Sequence, residues 1–238
     1  MDTMLGKCVL FGTYKTRNAD DRDAISWIVL QEDNEKKLLL SKYVIDVMPF
    51  HNTDEEITWE RCSLRRWLNW DFYDTAFSEA EQASILQVRN RNHDIFEVKK
   101  VVAIDVSTDR HQMWRNIRIP TTLKSLDTLD KVFLLSVDEA KQYKTVLGQL
   151  LAEPTPYAMQ KCYSAQREPG ALPDSEFHKA AIDYFEKWWL RTRGRLSDSA
   201  YYAGMGMSSW PVCSDKSVLL GIRPAIWIKS DTAFDLME

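Results

Sequence analysis

A chain of 238 residues, 45% apolar and 28% charged, is long enough for one large domain with a sizeable core and too apolar to stay unfolded. Its net charge of −4 argues against a nucleic-acid partner, which calls for a basic face. No window is long and apolar enough to span a membrane, and the first ten residues carry neither a basic leader nor a long apolar run, so a cytoplasmic protein without membrane insertion is expected.

Three strands open the chain. Lys7 to Tyr14, Ile25 to Gln31 and Lys37 to Val44 are apolar runs joined by turn-prone segments, the pattern of an antiparallel meander. The charged run Asn18 to Asp23 lacks the ligand spacing and terminal Glu of a calcium loop and reads as a solvated hairpin connection. His51 has no second histidine nearby and reads as a surface or capping residue. Ser63 is placed to cap a helix in which Leu64, Trp67 and Leu68 share a face, with Asn69 at its end. The basic cluster Arg61, Arg65 and Arg66, like Lys99 and Lys100, reads as a solvated helix face. Ser78 and Glu81 form a capping box before a helix carrying Ala80, Ala83, Ser84 and Leu86.

Between Gln87 and Pro120 the pattern is less regular. Val101 to Val106 reads as a strand, surrounded by Arg89, Arg91, His93, Asp109, Arg110, His111 and Trp114. This mix invites a catalytic reading, but no nucleophile with a tethered base is evident, so an exposed connection is preferred. Lys131 to Leu135 reads as a strand. Ser136 and Glu139 form a second capping box for a helix that Gln142, Tyr143 and Val146 continue. Pro154 and Pro156 break the chain. Phe177, Ala181, Tyr184, Phe185 and Trp188 follow helical spacing. They predict a helix over about Ser175 to Glu186 and leave Trp188 either at its end or at the start of a strand. Ser230 to Glu238 reads as a loose polar tail.

Two apolar runs near the C-terminus, Trp188 to Thr192 and Gly221 to Ile228, predict buried strands. Between them Arg193 to Ser217 is polar, rich in Tyr, Trp and Ser, and punctuated by Gly194, Gly204, Gly206 and Pro211. A rigid frame holding polar and aromatic loops is a common layout for a binding surface. Tyr and Trp give contact area at little entropic cost, and Ser supplies adaptable hydrogen bonds. The candidate ligand-binding residues are Ser197, Asp198, Ser199, Tyr201, Tyr202, Met205, Met207, Ser208, Ser209 and Trp210. If Ala200 to Met205 is instead one more core strand, alternation exposes Tyr201 or Tyr202 but not both. Arg191 and Arg223 are expected to brace the two strands through carboxylates or carbonyls. Most of the nine tryptophans are expected in the core.

The ending Trp188-Trp189-Leu190-Arg191, then Gly221-Ile222-Arg223-Pro224-Ala225-Ile226-Trp227, resembles that of a tryptophan-rich bacterial domain family of undefined function. Earlier segments match in the same order: Phe11 to Tyr14, Ile25 to Leu30, Thr58-Trp59-Glu60, Leu64 to Asn69 and Asp130 to Ser136. The resemblance implies an α+β, C-type-lectin-like fold, related to formylglycine-generating enzymes and to the variable proteins of diversity-generating retroelements. On this view residues 1–238 are one domain, with insertions around 90–120 and 165–186.

Three functions follow from these observations. The first is a non-catalytic recognition module that binds a protein or other ligand through the C-terminal segment, with no cofactor. If it is a retroelement target, adenine-directed diversification cannot readily yield Met205, Met207 or Trp210, whereas the serines, Asp198 and the two tyrosines are compatible. The second is an enzyme of the formylglycine-generating type, which needs a reactive cysteine pair holding a metal. Cys8, Cys62, Cys162 and Cys213 are scattered and read as free thiols. The third is a phage or surface assembly module that uses the same loops. No calcium-dependent sugar-binding triplet is present.

Overall fold

The computed structural model describes residues 3–53, 56–93, 124–166, 186–194, 199–204, 207–211 and 219–236. The expected strand Val101 to Val106 lies outside them, as do His111, Cys213 and the expected helix from Ser175 up to its last residue, Glu186, which is in a turn.

The opening meander is present as β1 (Cys8–Lys15), β2 (Arg22–Glu32) and β3 (Lys36–Ser41), all antiparallel. The Asn18 side chain closes the hairpin connection by accepting from the N–H groups of Asp20 and Asp21. β1 is kinked between Leu10 and Thr13, where Gly12 has φ +67°. A Cβ there would lie 2.6 Å from Phe77 and 2.8 Å from the Ala76 carbonyl, so this turn accepts only glycine.

β4 (Asp46–Met48) precedes a 3₁₀ turn, Trp59–Arg61, and a helical run: α1 (Ser63–Trp67), a π-helical turn Leu68–Phe72, and α2 (Tyr73–Ala76). Two expectations fail here. The N-cap is Cys62 rather than Ser63, its Sγ accepting from Arg65 N–H, whereas His51 does cap, Nδ1 accepting from Ser63 N–H. Asn69 does not end the helix. Its side chain accepts from Lys131 N–H at 2.9 Å and donates to the Val132 carbonyl at 2.8 Å, mimicking a strand partner while the backbone continues through a π turn.

The Ser78–Glu81 capping box forms, but α3 (Glu79–Gln82) is a single turn and Leu86 belongs to β5 (Ile85–Leu86). β6 (Val88–Asn90) pairs with β7 (Thr128–Asp130), and β8 (Val132–Phe133) leads into α4 (Val137–Gln142), capped by Ser136 and Glu139 as expected. α5 (Lys144–Leu147) follows, then α6 (Pro156–Gln166), with proline in its first turn and Thr155 Oγ1 accepting from Ala158 N–H.

Trp188 begins a strand, β9 (Trp188–Arg193). The polar insert contains the hairpin of β10 (Ser199–Ala203) and β11 (Met207–Pro211) rather than loop alone. The run Gly221 to Ile228 is two strands, β12 (Leu220–Ile222) and β13 (Ala225–Lys229), because Pro224 has no N–H to continue a ladder. The expected loose tail contains β14 (Asp235–Leu236), which pairs with β1.

The strands form a sheet ordered β14-β1-β2-β3-β13-β5 with β8 also on β13, a sheet ordered β11-β10-β9-β12-β4, and the β6-β7 pair. The break at Pro224 puts β12 and β13 in different sheets and so ties the two larger sheets together. Trp27, Trp59, Trp188 and Trp189 are fully buried in the core. Each indole N–H has an acceptor: the carbonyls of Phe11, Leu150 and Met48 for Trp27, Trp188 and Trp189, and the Asp130 carboxylate for Trp59.

Two buried carboxylates cross-link distant segments. Asp46 accepts from Tyr14 Oη at 2.7 Å and Lys161 Nζ at 2.6 Å, joining β1, β4 and α6. Asp130 accepts from Trp59 Nε1 at 3.1 Å, Arg65 Nε at 2.6 Å, Asn90 Nδ2 at 2.8 Å and Thr128 Oγ1 at 2.6 Å. Arg65 is therefore a partner of a buried charge, not part of a solvated face. Asp130→Ala strands four buried or half-buried donors, and a loss of about 3–5 kcal/mol is expected in urea denaturation. A loss under about 1 kcal/mol would contradict a central role for this carboxylate.

Candidate functional site

The most elaborated polar region lies where β9 meets the start of α4. Trp189 and Leu190 fix β9 in the core, and Arg191 and Thr192 then reach the capping box of α4. The Arg191 guanidinium is 3% exposed and bonds both Glu139 oxygens through its two terminal nitrogens. It also donates to the Leu134 carbonyl at 2.8 Å and, through Nε, to Asn92 Oδ1 at 3.0 Å. The Phe133 ring centroid lies 5.7 Å from the guanidinium carbon. Glu139 serves two groups at once, because its carboxylate also accepts from Ser136 N–H at 2.8 Å. Thr192 Oγ1 accepts from Val137 N–H at 2.9 Å, and the Asn92 amide donates to the Leu126 carbonyl and Thr128 Oγ1. The Ser136, Val137 and Glu139 N–H groups of the α4 cap thus have partners from the cap itself or from β9.

Arg223 braces in a similar way. Its Nε donates to the Ser41 carbonyl at 3.0 Å, and its guanidinium sits 4.9 Å from the Trp188 ring. Burial pulls its pKa down from the usual arginine range.

This frame walls a cleft. Arg91, His93, Ser136, Asp138 and Arg191 line both a narrow niche and an open groove of about 490 Å³. The niche extends toward Ser125, Thr192 and Arg193, and its volume of about 10 Å³ has room for one water. The groove extends past Arg89, Gln142 and Val88 to Lys36 and Trp227, where the Lys36 ammonium lies 4.6 Å from the Trp227 ring centroid. At the rim His93 Nε2 is 2.9 Å from Asp138 Oδ2, and Arg89 pairs with Asp127 at 3.0 Å.

The residues nominated from sequence divide into three groups. Ser197, Asp198 and Met205 lie outside the described residues. Ser199, Tyr201 and Tyr202 are on β10, and Met207, Ser208, Ser209 and Trp210 are on β11. In register, Tyr201 stands opposite Ser209, Tyr202 opposite Ser208 and Ala203 opposite Met207. Ser199 is buried, while Tyr201, Tyr202 and Met207 are half-buried and pack against the core. Strand alternation exposing one tyrosine does not hold. The β9–β10 ladder shifts register between Ala200 and Tyr202, and the bulge leaves both rings half-covered.

Arg91, Asn92, Asp138 and Arg193 were not nominated. The signal for the first two was the density of charged and polar residues after Arg89. Asp138 was hidden beside a capping box, and Arg193 at the edge of the insert. The thiols of Cys62 and Cys162 are buried and pushed up to about 12 by that burial, which leaves them protonated. Among the described residues no group of three or more His, Cys, Asp or Glu is gathered to hold a metal ion, and no helix is long and apolar enough to cross a membrane.

Mixed helices and antiparallel sheets carrying a polar cleft define an α+β protein. Residues 34–230 match the family described as Domain of unknown function (DUF6273), and the chain belongs to that family. The matched region closes on itself: Ser230 Oγ donates to the Asn34 carbonyl at 2.8 Å, and Ser230 N–H donates to that of Glu35. Searches of curated proteins and of solved structures returned no match.

The frame and the rim should respond differently to mutation. Thr192→Val leaves the buried Val137 N–H without an acceptor, and a loss of about 1–3 kcal/mol is expected in chemical denaturation. His93→Ala removes only an exposed pair and should stay within about 0.5 kcal/mol of wild type. Equal losses from the two would contradict the division.

Proposed function

We propose that this chain is a non-catalytic recognition module of C-type-lectin-like architecture, which binds a protein or other ligand through the β10–β11 hairpin and the adjoining cleft. One observation carries this reading. The last three residues of β9, Arg191, Thr192 and Arg193, line the niche, and the same strand runs directly into the polar, aromatic insert. The cleft and the segment nominated from sequence are therefore consecutive in the chain. The buried frame beneath them supplies the preorganisation that binding needs.

Mainly antiparallel sheets joined to short helices support the C-type-lectin-like description. The retroelement variable-protein reading is supported by the pairing of Tyr201 and Tyr202 with Ser209 and Ser208, since these are residue types compatible with diversification on adjacent strands. Protonated, buried Cys62 and Cys162 favour recognition over formylglycine-generating-type chemistry.

The test is affinity capture from lysate of the source cell, with two variants first shown to be folded by circular dichroism and melting. Tyr201→Ala/Tyr202→Ala alters the hairpin, and His93→Ala/Asp138→Ala alters the cleft rim. A partner held by wild type and weakened roughly tenfold or more by each variant is the expected result. Undiminished capture by both variants would move the binding surface elsewhere.

A further inference from the structure

We infer that the groove between Lys36 and Arg91 takes a small organic anion, a carboxylate or a phosphate monoester with a short apolar or planar body. This rests on the reading of the cleft as a binding site and adds the chemistry of its occupant.

Lys36, Arg89, Arg91 and Arg191 line the groove against Asp138 and Glu139, in a chain whose net charge is −4. Both carboxylates are already engaged. Glu139 is shared between Arg191 and the α4 cap, and Asp138 faces His93. Arg89 is paired with Asp127. Among the described residues no carboxylate pairs with Arg91, and the Lys36 ammonium rests on the Trp227 ring, its nearest anion being the fully exposed Asp33, whose carboxylate it does not bridge. Arg91 thus has no carboxylate partner among the described residues, and Lys36 keeps only a ring contact and a solvent-screened anion, so both can turn to a ligand in the groove.

The buried frame also offers a donor. Arginine has five N–H donors. Four on Arg191 are accounted for by Asn92, Leu134 and the two Glu139 oxygens. One Nη2 N–H remains without an acceptor among the described residues, on a guanidinium that is 3% exposed and lines the groove. A buried, rigidly held donor of this kind suits an anionic oxygen, because its position is fixed before binding.

A groove of about 490 Å³ falls within the range of small-ligand sites, and Val88 and Trp227 give it an apolar part beside the cations. An ion without a body would leave that lining unused. A neutral body would leave Arg91 without a charged partner among the described residues.

The experiment uses the full chain and four defined probes of similar shape: benzoate, phenyl phosphate, benzamide and benzylamine. Binding is followed by thermal shift and by titration calorimetry at low salt, then at raised salt. Benzoate, phenyl phosphate or both should raise Tm and give saturable heats that weaken with salt, while benzamide and benzylamine should not. The two anionic arms distinguish a carboxylate from a phosphate source. Arg91→Gln and Lys36→Gln should each weaken the anion roughly tenfold with the unliganded Tm close to wild type.

Three outcomes would overturn the inference: no binding of either anion, equal or tighter binding of the neutral or cationic probe, or anion binding indifferent to both substitutions. In each case partner capture by wild type, lost in the Tyr201→Ala/Tyr202→Ala variant, would leave the recognition reading standing. The two failures are therefore separable.

Discussion

The pairing of Arg191 with Glu139 is the constraint on which the site depends. Placing a guanidinium at 3% exposure is costly unless its charge and donors are met. Here one carboxylate takes two of its donors, while Asn92 and the Leu134 carbonyl take others. The same carboxylate closes the capping box of α4. The Arg191 guanidinium thus ties β9 to the start of α4 through the ion pair, and to the segment after β6 and the β8–α4 connection through its other donors. The cleft is what remains between these elements, and its walls inherit their rigidity.

The same device recurs elsewhere in the fold. Many strands are only two to six residues long, too short to hold a domain through ladders alone. Large rings fill the space between them, and buried charges pin the rings and turns: Asp130 holds Trp59 and Arg65, Asp46 holds Tyr14 and Lys161, and Arg223 holds Ser41 beside Trp188. Burial, with Asp46 beside it, raises the Tyr14 pKa well above the usual tyrosine range, so this hydroxyl stays a donor. Short elements joined by satisfied polar contacts specify one arrangement more sharply than apolar packing alone.

Much of this was legible in the sequence where the signal is local. The opening meander, both capping boxes, the burial of the paired tryptophans in β9 and the bracing role of the two C-terminal arginines follow from neighbouring residues. What failed was set by partners far along the chain. Asn69 looks like a helix terminator, yet Lys131 and Val132, some sixty residues on, recruit its amide and let the helix continue. The tail looked too polar to pair, but β14 needs only an open edge on β1. The polar insert looked like loop because a bulge removes the alternation by which a strand is recognised. The cleft was half-visible: its charged wall after Arg89 stood out, but Asp138 and Arg193 join it only through the fold. Membership of the Domain of unknown function (DUF6273) family agrees with the tryptophan-rich pattern that spans most of the chain.

The most direct test of the account is a double-mutant cycle on Arg191→Met and Glu139→Gln, read by chemical denaturation. Glutamine at position 139 still supports the α4 capping box, so the cycle isolates the ion pair from the cap. A coupling of about 1–3 kcal/mol is predicted, with the double variant less destabilised than the sum of the two single variants. Additive losses, within about 0.5 kcal/mol, would mean that β9 and α4 are held by packing alone and that the cleft does not depend on this contact.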